Sequence, residues 1–155
     1  MRFELIFSGK TREAYLAAGI EDYAARLAHY VQTEIKTVKE AKIKKGASEN
    51  LLIEKTSKTL LQNAQGSFLV CLDRTGKQLD SLGLAAQMER WEMQAQKKIS
   101  FIIGGPLGLS PAILKKADLV LSFSPMTFTH EMARLLLLEQ LYRACTIKAG
   151  EKYHK

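Results

Sequence analysis

Ile99-Ser100-Phe101-Ile102-Ile103-Gly104-Gly105-Pro106-Leu107-Gly108-Leu109-Ser110, followed shortly by Leu121-Ser122-Phe123-Ser124-Pro125-Met126-Thr127-Phe128-Thr129-His130-Glu131-Met132-Ala133-Arg134, decides the fold. Two short apolar runs each stop in a loop whose composition is not that of packing. The first loop holds three glycines within five residues, and the second is small, polar and proline-containing. Short apolar runs bounded by such loops read as buried strands. In an open α/β sheet, ligands bind outside the carboxyl ends of the strands. One third of the chain therefore points to one small-molecule site.

Working outward, strand and helix signals alternate. Met1–Phe7 reads as a strand, and Lys10–Leu27 as a helix with Leu16, Ile20, Tyr23 and Leu27 at spacings of four, three and four. Val31–Val38 is a more polar strand suited to a sheet edge, and Ala41–Ala47 is a lysine- and glycine-containing loop. Ser48 caps a helix to about Gln62; Ser67–Leu72 is an apolar strand, followed by a turn at Asp73-Arg74-Thr75-Gly76-Lys77. Ser81–Gln94 is a helix with Leu84, Met88 and Trp91 on one face, and Ile99–Ile103 a strand. Ser110-Pro111, a cap and first-turn proline, opens a short helix to Ala117. Leu119–Phe123 is the fifth strand, and Thr129 or His130 opens a last helix to about Thr146. Five strands alternating with five helices predict an α/β single domain over residues 1–155, with a mostly parallel sheet covered on both faces.

Composition narrows the function classes. At 155 residues and 46% hydrophobic, the chain suits one core. No apolar run approaches the roughly 18 residues of a membrane span. The N-terminus lacks the apolar segment of a signal peptide, so a cytoplasmic protein is expected. Cys71 and Cys145 lie far apart in apolar runs, as buried thiols in a reducing compartment do. No two of His29, His130 and His154 have metal-ligand spacing, and no metal is expected. The net charge is +7, with Lys36, Lys39, Lys42, Lys44 and Lys45 in one cluster and Arg143, Lys148, Lys152, His154 and Lys155 in another. Two such clusters favour a phosphate-contacting surface over scattered solubilising charge.

The glycine loop is neither a Walker A loop, lacking its lysine and Ser/Thr, nor a dinucleotide fingerprint. It reads as a tight turn that also lets a ligand approach the backbone. Phe123–Phe128 can wrap an adenine, its backbone facing the base edge while Met126 and Phe128 cover the faces. The third strand end, Cys71–Lys77, falls on the same sheet edge. His130 sits beside this site; Glu131 and Glu139 read as residues that cap and solvate the last helix.

These motifs have a family likeness. Ile-Ile-Gly-Gly-Pro-Leu-Gly-Leu at 102–109, Leu-Ser-Phe-Ser-Pro-Met-Thr-Phe-Thr-His at 121–130, Glu-Gln-Leu-Tyr-Arg-Ala at 139–144, Leu72–Lys77 and the ending Tyr153-His154-Lys155 resemble the ribosomal RNA large subunit methyltransferase H family over the full length. The resemblance implies a SPOUT-class fold with a C-terminal trefoil knot, a homodimer, and S-adenosyl-L-methionine as methyl donor. It implies methylation of N3 of a pseudouridine in helix 69 of 23S ribosomal RNA, on assembled ribosomes. By the same resemblance Leu72, Gly104, Gly105 and Phe123, Ser124, Pro125, Met126, Thr127 and Phe128 line the cofactor site. Thr129 stands where the family has proline. The acceptor so implied is a weakly acidic ring N–H; a cation or histidine placed by the partner subunit can take its proton or stabilise its developing anion, and Arg143, Tyr153, His154 and His130 are the candidates. Two competing readings are a non-enzymatic RNA-binding or ribosome-assembly module and a SPOUT methyltransferase acting on transfer RNA.

Overall fold

In the computed structural model, which describes residues 1–40, 46 and 48–153, the strands are β1 (Arg2–Ser8), β2 (Gln32–Val38), β3 (Phe68–Gln78), β4 (Lys98–Ile103) and β5 (Leu119–Ser122). They form one parallel sheet in the order β2-β1-β4-β3-β5. The helices are α1 (Ala14–Ala28), α2 (Glu49–Asn63), α3 (Ser81–Met93), α4 (Pro111–Leu114) and α5 (His130–Lys148). Every expected element is present, and the polar strand β2 lies at an edge. The expected loop at Ala41–Ala47 lies, except for Gly46, outside the described residues, as do Lys42, Lys44, Lys45, His154 and Lys155.

Alternation along the strands sorts the side chains into two layers. Phe3, Leu5 and Phe7 of β1, with Val70, Ile99, Phe101 and Leu121, face α1, α3 and α5. Ile6, Leu69, Cys71 and Ile102 face α2 and α4. The central strand β4 is buried on both faces after its first residue. That explains its unbroken apolar run. Cys71 and Cys145 are buried and unpaired with one another, and burial pushes their thiols up to about 12 and about 11.

One charge is buried within the second layer. Glu4 is 2% exposed; it accepts from Ser100 Oγ at 3.0 Å and from Lys36 Nζ at 3.1 Å, with Lys98 Nζ at 3.6 Å. Burial alone would raise its carboxyl, but Lys36, Ser100 and Lys98 outweigh it and hold the carboxyl below its ordinary value of 4.5. A depressed folded value means the stabilisation is complete above the ordinary carboxylate range and is lost as pH falls through the folded value. A Glu4→Gln chain should be less stable at pH 7 and show a flatter fall of stability between about pH 5 and 3. Urea midpoints of both chains across that range check this.

The largest departure from expectation is at Asp73–Lys77. The sequence reads there as a turn after the strand; the structure carries β3 on to Gln78. Leu72 pairs with Leu121 of β5, and so does Lys77, five residues later. Between them the backbone at Gly76 crosses β5 so closely that a Cβ would lie 2.6 Å from the Val120 carbonyl oxygen and 2.8 Å from the Leu121 carbonyl carbon. Gly76 is therefore required for a close approach of two backbones, not for a turn. Gly76→Ala should cost at least about 1–3 kcal/mol, the usual cost of overpacking, because neither backbone can yield as a side chain would. Chemical denaturation would read it.

Candidate active site

Strands β4 and β5 end beside Leu72–Arg74 of β3, and these residues and the loops after β4 and β5 line a cavity of about 690 Å³. This is within the roughly 300–1,000 Å³ of small-molecule sites. After β4, the chain folds back on itself. Gly108, at φ +78°, donates its N–H to the Gly105 carbonyl at 2.9 Å. A Cβ on Gly104 would meet the Gly108 carbonyl oxygen at 2.5 Å. The glycine thus lets the two limbs of its own loop touch, as a tight turn requires. Ser110 closes the loop, capping α4 and donating its backbone N–H to Ser57 Oγ of α2 at 2.9 Å.

The segment after β5 is held by its own hydroxyls. Ser122 Oγ lies 3.2 Å from the Arg74 carbonyl and 3.0 Å from that of Ser124, and Ser124 Oγ accepts from the Met126 N–H. Thr129 Oγ1 accepts from the Met132 N–H and caps α5. The threonine in the family's proline position thus makes a helix cap. Met126 (75% exposed), Phe128 and Leu107 leave large apolar surface at the cavity mouth. Such surface around a cavity marks a place to be covered.

Of the expected binding residues, Leu72, Gly104, Gly105, Phe123, Ser124, Met126, Thr127 and Phe128 line this cavity, and Pro125 does not. Asp73 and Arg74 line it too.

Of the expected catalytic residues that are described, His130 lies apart from Arg143 and Tyr153. His130 lines the cavity. Burial, then the Arg134 charge, lowers its pKa below 6.5, against the opposing pull of Glu131 and Glu40, so the imidazole is neutral at pH 7. Arg143 lies thirteen residues further along α5, about 20 Å at 1.5 Å per residue. Its guanidinium is bound to Glu139, Nε at 3.0 Å, and lies 4.7 Å from the centroid of the Tyr153 ring. Tyr153 in turn packs edge-on against Tyr142; its hydroxyl lies 3.2 Å from the Tyr23 hydroxyl and donates to the Glu139 carboxylate at 3.2 Å. Burial, Tyr23 and Glu139 all raise the phenol, so Tyr153 stays protonated. His154 lies outside the described residues.

A family model described as predicted SPOUT methyltransferase matches residues 1–154. The chain belongs to the SPOUT methyltransferases. Two full-length relatives, each covering all of both chains, bear the name ribosomal RNA large subunit methyltransferase H. The Desulfotalea psychrophila protein is 52% identical and the Syntrophobacter fumaroxidans protein 45%. Among solved structures, a probable methyltransferase from Bordetella pertussis superposes with a TM-score of 0.57 at 13% identity, covering 93% of this chain and 96% of that one. A tRNA methyltransferase from Aquifex aeolicus gives 0.51 at 13% identity, over 92% of this chain and 70% of that one. These likenesses show a shared fold.

Other expectations about this SPOUT chain need revision. Glu131 does not solvate α5. Glu131 is buried and accepts the backbone N–H groups of Arg12 and Glu13 at 3.0 Å each, capping α1, whose own first residue offers no side-chain cap. Of the five α5 leucines, Leu137, Leu138 and Leu141 belong to the core. Only Leu135 and Leu136 are partly exposed. The two basic clusters are partly spent: Lys36 pairs with Glu4, Arg143 with Glu139 and Lys148 with Glu92. Among the described residues no cluster of His, Cys, Asp or Glu could hold a metal, and no helix is long and apolar enough to cross a membrane.

Sequence reasoning missed Arg134. It is fully buried, stacked over the Phe7 ring, and donates to Thr11 Oγ1 and to the Ser8 carbonyl. An arginine inside an otherwise leucine-rich helix is the signal that could have exposed it.

Proposed function

We propose that this chain is a cytoplasmic S-adenosyl-L-methionine-dependent methyltransferase acting on N3 of a pseudouridine in helix 69 of 23S ribosomal RNA, in the assembled 70S ribosome, as a homodimer. The observation that carries the reading is the cavity lined by Leu72–Arg74 of β3 and by the loops after β4 and β5, with the neutral His130 at its rim. The names borne by the full-length relatives supply the ribosomal RNA.

The residues present fit such a donor. Backbone groups of Gly104–Gly108 and of 122–128 would meet its polar edges. Leu72, Ile103, Leu109 and Leu121 offer it apolar walls, and Met126 and Phe128 would cover its rings. The donor supplies a methyl group already activated by its sulfonium charge. What the chain must handle is the acceptor's proton. As the ring N–H gains carbon it loses hydrogen, and the ring carbonyls take up negative charge in passing. Neutral His130 has a free nitrogen lone pair to receive that proton. Arg143 is a permanent cation suited to the transient charge. At about 20 Å along α5 from His130 it cannot serve its own subunit's cavity, so it serves the partner's.

The outward stripe Met132, Leu136, Glu139 and Arg143, spaced four, three and four along α5 and only half-buried, supports pairing through this helix. The double pairing of Leu121 with Leu72 and Lys77, and the Gly76 crossing, support the trefoil knot.

Titration calorimetry with S-adenosyl-L-methionine tests the reading: one saturable site per subunit is expected. A protein that binds ribosomes yet shows no such site would be a binding module instead.

A further inference from the structure

The five residues joining β1 to α1, Gly9-Lys10-Thr11-Arg12-Glu13, lie at the carboxyl end of the strand beside β4. Gly105 of the cavity loop sits against Ser8, the last residue of β1: a Cβ on Gly105 would lie 3.2 Å from Ser8 Oγ. The joining loop therefore adjoins the cavity wall. Its backbone is held by two buried charges from α5. Arg134 takes the Ser8 carbonyl and, at 3.0 Å, Thr11 Oγ1; Glu131 takes the N–H groups of Arg12 and Glu13.

Burying an arginine that has no carboxylate within ion-pair distance among the described residues is costly. Here the cost fixes the course of a loop whose own side chains, Lys10 and Arg12, are exposed. Neither makes an ion pair among the described residues, in contrast to Lys36, Arg143 and Lys148. Two unspent cations, held in place beside the mouth of a methyl-transfer site, match a phosphodiester backbone. Arginine grips phosphate with a planar fork, and lysine as a point charge.

We propose that the Lys10–Arg12 loop is a phosphate clamp for the RNA strand that carries the acceptor base, with Arg134 and Glu131 as its positioning residues. This rests on the reading of the chain as an RNA methyltransferase. The clamp gives the RNA a fixed register relative to His130, because the cavity-lining His130 and the loop's anchors Glu131 and Arg134 lie within one stretch of α5. Rigid support of this kind is what keeps a contact loop from losing affinity to its own ordering.

The test is binding of 70S ribosomes across about 50 to 200 mM salt, measured separately from methyl transfer. Lys10→Ala with Arg12→Ala should weaken binding about tenfold or more and reduce the slope of log affinity against log salt by about 1.4–1.8, the share of two phosphate contacts. The charge-preserving pair Lys10→Arg with Arg12→Lys should recover most of the binding. Thermal melting and S-adenosyl-L-methionine affinity of the same variants report on fold and cavity, and both should match the parent. Unchanged affinity and slope in the alanine pair would overturn the clamp. So would a loss that the charge-preserving pair fails to recover. If the parent binds ribosomes with the expected slope but transfers no methyl group, the methyltransferase reading fails and the clamp stands.

Discussion

A Gly104→Val chain should fold and yet lose S-adenosyl-L-methionine affinity by about 5- to 150-fold, the equivalent of the 1–3 kcal/mol that overpacking costs. A Cβ at this position meets the Gly108 carbonyl oxygen at 2.5 Å and its carbon at 2.7 Å. Both are backbone atoms of the loop that walls the cavity. The strain is relieved only by opening that loop, because β4 beneath it is buried on both faces and holds its place. Circular dichroism should show the parent fold, and calorimetry the lost site. A folded variant that binds the donor normally would mean that the closed glycine loop is a turn without a ligand.

The second large effect concerns Arg143. Arg143→Ala should leave donor binding intact and lower methyl transfer by about a hundred- to a thousandfold, as removal of one charge-stabilising group does. The same residue holds Glu139 and covers Tyr153, so the variant should also loosen the last residues of the chain. Mixing separates a catalytic effect from a structural one. At low donor concentration Gly104→Val and Arg143→Ala are each strongly impaired, but random pairing places an intact cavity opposite an intact Arg143 in one of the two sites of each mixed dimer. About one quarter of parental activity should return for a twofold-symmetric pair. No recovery, with mixed dimers demonstrated by native mass spectrometry, would mean that each subunit works with its own Arg143.

The fold was largely legible because parallel strands leave a strong trace. Val70-Cys71-Leu72 and Ile99–Ile103 are apolar on both faces, and only a sheet covered twice asks for that. The cavity was legible because glycines and small polar residues cluster where two such strands stop. What stayed hidden depends on contacts distant in sequence. Gly76 looks like a turn glycine until β5 is laid against it, since nothing local records that Val120 crosses there. Glu131 looks like a surface acid of α5 until the α1 amides are placed at its carboxylate, 118 residues away in sequence. Arg143 and His130 share a helix, and only its length shows that they lie about 20 Å apart along it. Charge was the least reliable guide: net charge counts Lys36, Arg143 and Lys148, but not that each already has a carboxylate partner.

The central claim is tested most directly by supplying labelled S-adenosyl-L-methionine with 70S ribosomes, 50S subunits, free 23S ribosomal RNA and transfer RNA in parallel, then mapping the modified nucleotide. The account predicts label on 70S ribosomes, at N3 of a single pseudouridine in helix 69. Label on transfer RNA, label elsewhere in the ribosome, or no transfer by a protein that binds the donor would contradict it.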